Sequence, residues 1–100
     1  MSGTLFDLVK GKLNITWSDE DTDSEINRII EDGQVEMRRK LGTPESYDFT
    51  IEGQERKLFL SWCLYEWNHA SNEFDENYLN DILQVRQKYE VMEYAQTEGV

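Results

Sequence analysis

One stretch constrains this chain more than any other. Ile26, Ile29, Ile30, Gly33, Met37 and Leu41 fall on one side of an α-helix, and Gly42 and Pro44 follow directly. A glycine and then a proline is the pattern that ends a helix, so the stripe and its stop signal agree. Gly33 inside the stripe costs about 1 kcal/mol in helix propensity relative to alanine, and its missing side chain offers room for a second helix to approach closely. Val35 lies on the opposite side of the same helix, near Arg28 and Arg39. The start is open between two caps: Ser18 followed by Asp19, Glu20 and Asp21, or a Thr22-x-x-Glu25 capping box one turn later.

An apolar stripe needs cover, and the rest of the chain supplies it as helices. Leu5, Leu8, Val9 and Leu13 mark a short amphipathic helix from about Thr4 to Leu13, and Asn14 to Trp17 connect it to the second. Residues 43 to 53 hold the only proline, two β-branched residues and no helical period, so they read as an irregular loop. A third helix begins at Gln54 or Glu55. It is apolar on two sides: Leu58, Phe59, Trp62 and Tyr65 face one way, Leu60, Cys63, Leu64 and Trp67 another. A helix of that kind is central or shared with a partner. Ser71 to Phe74 read as a turn, Asp75 as a cap, and the last helix runs to about Tyr94. Along it Tyr78, Ile82, Val85, Tyr89 and Met92 have the spacing of a coiled-coil seam, over roughly 30 Å at 1.5 Å per residue. The expected fold is all-α: a small bundle of about four helices in one domain, residues 1–95, with a long C-terminal helix and a flexible tail, 96–100.

Charge narrows the function. The 100 residues carry 21 Asp and Glu against 10 Lys and Arg, a net charge of −11. A surface of that sign repels phosphate, so tight nucleic-acid binding is not expected. The one basic cluster, Arg38-Arg39-Lys40, sits where the second helix ends, and cations there are stabilised by the helix dipole. One cysteine, Cys63, cannot form an internal disulfide, and no apolar run has the length of a membrane span. A reducing, cytoplasmic setting and no membrane association are the expectation.

Three patterns suggest sites and each lacks a part. Asp19, Asp21 and Asp23 have the spacing of a calcium loop, but Ser24 stands where the glycine is needed and Ile30 where the bidentate glutamate is needed. Glu66-x-x-His69 is half of a two-metal helical motif, yet His69 is the only histidine. Cys63 and His69 point about 120° apart on one helix, too far round it to act as nucleophile and base. Neither a catalytic residue nor a cofactor is expected. Trp17 and Trp62 read as packing residues, and Trp67 stays open between core and subunit interface.

The order of these elements resembles the head-tail connector, or head-completion, proteins of tailed bacteriophages. Leu5-x-x-Leu8-Val9-Lys10 through Leu13-x-Ile15, then Asp19-Glu20-Asp21-x-Asp23, is similar to that family's opening helix, turn and acidic second start. Gly42 closes the second helix as the family's glycine does, and Leu58 to Asn68, with Tyr65-Glu66-x-Asn68, is similar to its apolar third helix and polar exit. The loop at 43–53 and the long helix Asn77 to Tyr94 depart from the family's shorter, turn-interrupted ending. The resemblance implies a homo-oligomeric ring, a dodecamer, under the phage portal protein. Such a ring extends the DNA channel, with DNA only in transient passage, and docks the next stopper or tail protein. It implies a place at the head-tail interface of the virion, and the host cytoplasm during assembly, and it carries over no catalytic residues.

Surfaces expected to meet partners are Val35 with Arg28 and Arg39, the second face of the third helix (Leu60, Leu64, Trp67), and Tyr94 in the last helix. Two other functions fit the same composition. One is a small acidic regulatory inhibitor or DNA mimic; the other is a stand-alone helical dimer joined through the Tyr78 to Met92 seam.

Overall fold

The second helix forms where its stripe requires it, α2 over Glu20–Leu41. Its cap is neither Ser18 nor Thr22 but Asp19, whose carboxylate accepts the Thr22 backbone N–H at 2.7 Å and the Thr22 hydroxyl at 2.9 Å. Those two hydrogen bonds hold the Asp19 carboxyl below its ordinary pKa. Ser18 is engaged elsewhere, its hydroxyl taking a bond from Lys10 Nζ at 2.7 Å. At the far end Gly42 adopts φ 76° and its N–H closes on the Arg38 carbonyl, the left-handed cap that a side chain would strain.

The computed structural model describes the backbone of residues 4–98 and side chains as far as Met92. Around α2 stand α1 (Leu5–Lys12), α3 (Gln54–Trp67), α4 (Phe74–Asn77) and α5 (Leu79–Glu98), with a 3₁₀ turn at Ser71–Glu73. Every regular element among the described residues is helical, so the chain is an all-α bundle. α3 packs against α1, α2 and α5, and α2 against α1, α3 and α5, so the two-faced helix shares the centre of the bundle with α2.

All six stripe residues of α2 are buried, and they meet Val9, Leu13 and Ile15 from the N-terminal segment and Leu58, Phe59, Trp62 and Cys63 from α3. Gly33 sets the distance between α2 and α3: a Cβ placed there would lie 2.9 Å from Phe59 Cε1 and 3.1 Å from Trp62 Cε3. The helices close onto each other because that carbon is missing.

Three features depart from the sequence reading. The loop after α2 is irregular as expected, but it delivers Phe49 into the core, 1% exposed and stacked on Phe59 at 5.0 Å. The expected turn at Ser71 to Phe74 likewise buries Phe74, which stacks on Tyr78 at 4.8 Å. The expected single last helix is divided: Tyr78 leaves helical geometry at φ −117°, ψ 20°, separating α4 from α5. Asn77 is held there by a bond from its amide to the Tyr65 hydroxyl at 3.0 Å. The seam beyond it is partly right. Ile82 and Val85 are buried and Tyr89 packs against the core, whereas Met92 is 50% exposed. Ile82, Val85 and Tyr89 thus turn inward within one chain, while Met92 faces outward.

Two helices end on Schellman motifs with side-chain residues in the left-handed position. Asn14 (φ 61°) follows α1, with Ile15 N–H bonded to the Lys10 carbonyl and Asn14 N–H to that of Gly11. His69 (φ 59°) follows α3, with Ala70 N–H on Tyr65 and His69 N–H on Glu66. Asparagine and histidine are among the side chains that tolerate this geometry. The bundle measures 51 × 30 × 18 Å with a radius of gyration of 14.7 Å.

Candidate docking surfaces

The outer side of α2 carries three of the residues singled out in the sequence. Val35 is 65% exposed. It stands between two shallow depressions, one lined by Arg38, Arg39, Thr43 and Glu45, the other by Asp32, Glu36, Trp62 and Glu66. Arg39 pairs with Glu36 along its own helix. Arg28 does more than border the surface: it reaches Glu25 at 2.6 Å, Asp32 at 2.8 Å and Glu66 of α3 at 3.4 Å. It therefore ties α2 to α3, and its bond to Glu25 holds that carboxyl below the ordinary range.

Leu60, Leu64 and Trp67 line neither of the two depressions beside Val35. All three are partly buried and pack against the core, while Cys63, placed with them by the helical period, is fully buried. Burial pushes the Cys63 thiol up to about 12, so it stays protonated and unreactive. Leu60 edges a cleft of about 800 Å³ between the C-terminal end of α1, the first half of α3 and α5. Lys12, Lys57, Glu52 and Asp81 line its rim and Leu58 and Ser61 its floor. The Tyr94 side chain lies outside the described residues, as do residues 99 and 100 of the expected tail; the helical backbone continues to Glu98.

Several exposed apolar side chains escaped the sequence reading. Trp17 is 50% exposed, not packed, and its indole N–H donates to the Thr22 hydroxyl at 3.2 Å. On α5, Leu79 and Leu83 are 52% and 51% exposed, and Val91 is 60%. The i, i+4 spacing of Leu79 and Leu83, off the Tyr78 to Met92 seam, was the available signal.

A buried polar cluster anchors α5 to α3. Glu55, 4% exposed, accepts from Lys88 Nζ and from the Tyr89 hydroxyl at 2.7 Å. Burial alone would raise the Glu55 carboxyl, but these two bonds outweigh it and hold the acid below its ordinary pKa. The same carboxylate, with burial acting first, pushes the Tyr89 phenol well up. Fully satisfied, such a cluster fixes where α5 sits.

Asp19, Asp21 and Asp23 do not converge on a cation: Asp19 is spent on the cap of α2, and the described residues hold no cluster of three or more metal-ligating side chains. His69 serves a helix end, exposed to solvent, while Cys63 is in the core. No helix among the described residues is long and apolar enough to cross a membrane. Compared with models of protein families, with curated proteins and with solved structures, the chain matches none.

Proposed function

We propose that this chain is a structural assembly subunit of the head-tail connector kind. Copies of it form a ring beneath a phage portal protein, extend the channel through which DNA passes and present a docking surface to a stopper or tail protein. In this role it performs no reaction. The observation that supports the reading is the amount of large apolar side chain left half or more exposed on separate elements: Val35 on α2, and Leu79, Leu83, Val91 and Met92 on α5. Scattered single exposures are ordinary in monomers, but an i, i+4 pair such as Leu79 and Leu83 on a long helix is the kind of surface a neighbour covers. The net charge of −11 is consistent with a wall that lets duplex DNA slide past, because acidic side chains keep phosphate contacts brief.

The test is mass, measured by sedimentation with and without portal protein. A ring-sized particle that co-sediments with the portal is the expected result. A chain that stays monomeric, ignores the portal and instead occupies the nucleic-acid site of a DNA-binding enzyme would replace this proposal with the DNA-mimic reading.

A further inference from the structure

We infer that the two ends of α2 form the two halves of one head-to-tail contact between copies of this chain. The acidic end bearing Trp17 docks on the Leu79–Leu83 face of the next copy, beside Arg39, Lys40 and Arg86. The inference rests on the assembly reading and specifies how neighbours would meet.

At the first end, Trp17 is half exposed yet its ring is held by the bond from its N–H to Thr22, so an anchor is already oriented. Glu20 and Asp21 follow it in the first turn of α2, both exposed, and neither forms an ion pair among the described residues, whereas Asp19 is already spent on the Thr22 cap. At the second end a depression of about 250 Å³ has Leu79, Ile82 and Leu83 as its apolar surface and three cations, Arg39, Lys40 and Arg86, against one carboxylate, Asp75, on its rim. Lys40 is shared with Asp75 and Arg39 with Glu36, but Arg86 is exposed and has no ion pair among the described residues. One end thus carries an aromatic anchor with uncompensated carboxylates. The other offers two half-exposed leucines with an uncompensated arginine.

Other surfaces match an acidic partner less well. The larger cleft sets Glu52 and Asp81 beside Lys12 and Lys57, so its charges cancel. Val35 stands among both signs, with Asp32, Glu36 and Glu45 beside Arg38 and Arg39. The 22 residues of α2 span roughly 33 Å at 1.5 Å per residue, so one chain cannot bring its own two ends together. A contact between different patches leaves each copy with a free half on either side, and it propagates, closing into a ring where the rotation between copies closes and running on as a filament where it does not.

The experiment uses two variants of the full chain, each blunted at one end through exposed side chains: Trp17→Ala with Glu20→Lys, and Leu83→Asp with Arg86→Glu. Circular dichroism first confirms that both fold. By analytical ultracentrifugation, wild-type protein should assemble beyond a dimer, and each variant alone should lose at least about thirtyfold in association, as loss of a buried anchor does. Mixed together, the variants should form a one-to-one dimer and stop, because each keeps one intact half. That dimer should weaken as salt rises from about 0.05 to 0.5 M. Wild-type protein that remains monomeric up to about 1 mM, or that stops at a dimer, overturns the contact. So do variants that assemble like wild type, or a mixture that yields no dimer. In any of these cases, wild-type co-sedimentation with portal protein decides the connector reading separately.

Discussion

Gly33 and Glu55 show how much of this fold turns on single side chains, and how unequally they could be read in advance. Gly33 stood out in the sequence because a glycine interrupts an apolar stripe, and the structure gives the reason in two aromatic rings about 3 Å from its missing Cβ. Gly33→Ala gains about 1 kcal/mol of helix propensity but drives a methyl group into Phe59 and Trp62. Overpacking of that kind costs about 1 to 3 kcal/mol, so a net loss of stability is expected in urea denaturation. Glu55 gave no signal, since a glutamate in the first turn of a helix is ordinary surface. Only the arrival of Lys88 and Tyr89 from 33 and 34 residues away makes it a buried acceptor. Its pKa is lowered in the folded state, so its contribution is present above the unfolded carboxyl pKa and is lost as pH falls through the folded one. Glu55→Gln should therefore destabilise the chain by about 1 to 3 kcal/mol near neutral pH, and the gap to wild type should shrink below about pH 4. A gap independent of pH would mean that the loss is one of packing.

Elements with a strong period were legible, and those built by aromatic insertion were not. The stripe of α2 names every residue that α2 buries. Phe49 and Phe74 sit in segments whose polar, proline- or asparagine-containing composition reads as loop, and nothing local says that one ring in each turns inward. The division at Tyr78 was hidden for the same reason: the stacking of Phe74, Tyr78 and Tyr65 is a tertiary arrangement laid over a sequence that could continue as one helix. The end of α2 was legible from Gly42, whereas its side-chain cap, Asp19, and the ends of α1 and α3 at Asn14 and His69 were not. His69 invites a metal or catalytic reading by its chemistry, yet its backbone occupies the left-handed position after α3. His69→Gly relieves that conformation and should raise stability, by up to about 1 kcal/mol. Thermal melts would show it; a clear drop would mean that the imidazole itself contributes to the fold.

For the molecule as a whole, the sequence supplied the helical class and the surplus of apolar surface, but not which faces remain open. The helical period separates Leu60, Leu64 and Trp67 from the core face, yet the structure packs them, partly buried, against the core and opens α5 instead. This sets up a comparison of two tryptophans on one helix. Trp62, 6% exposed and packed over Gly33, should cost about 3 to 5 kcal/mol when changed to alanine, enough to unfold a small domain. Trp67→Ala should leave the chain folded by circular dichroism while weakening self-association or portal docking by about 2 kcal/mol. Equal unfolding by both would make the second face ordinary core.

The thinnest dimension, 18 Å, has room for about two layers of helices at interaxial distances of about 8 to 10 Å, so most helices have one flank in water. A slab of this kind has little interior for its surface, and its radius of gyration of 14.7 Å exceeds the roughly 13 Å typical of a compact chain of this length. If neighbours supply the missing flank, folding and association become a single equilibrium governed by mass action. The melting temperature should then climb with protein concentration, by the amount that ligand binding to the native state alone would raise it. A midpoint constant across a hundredfold dilution series would mean that the slab is stable by itself.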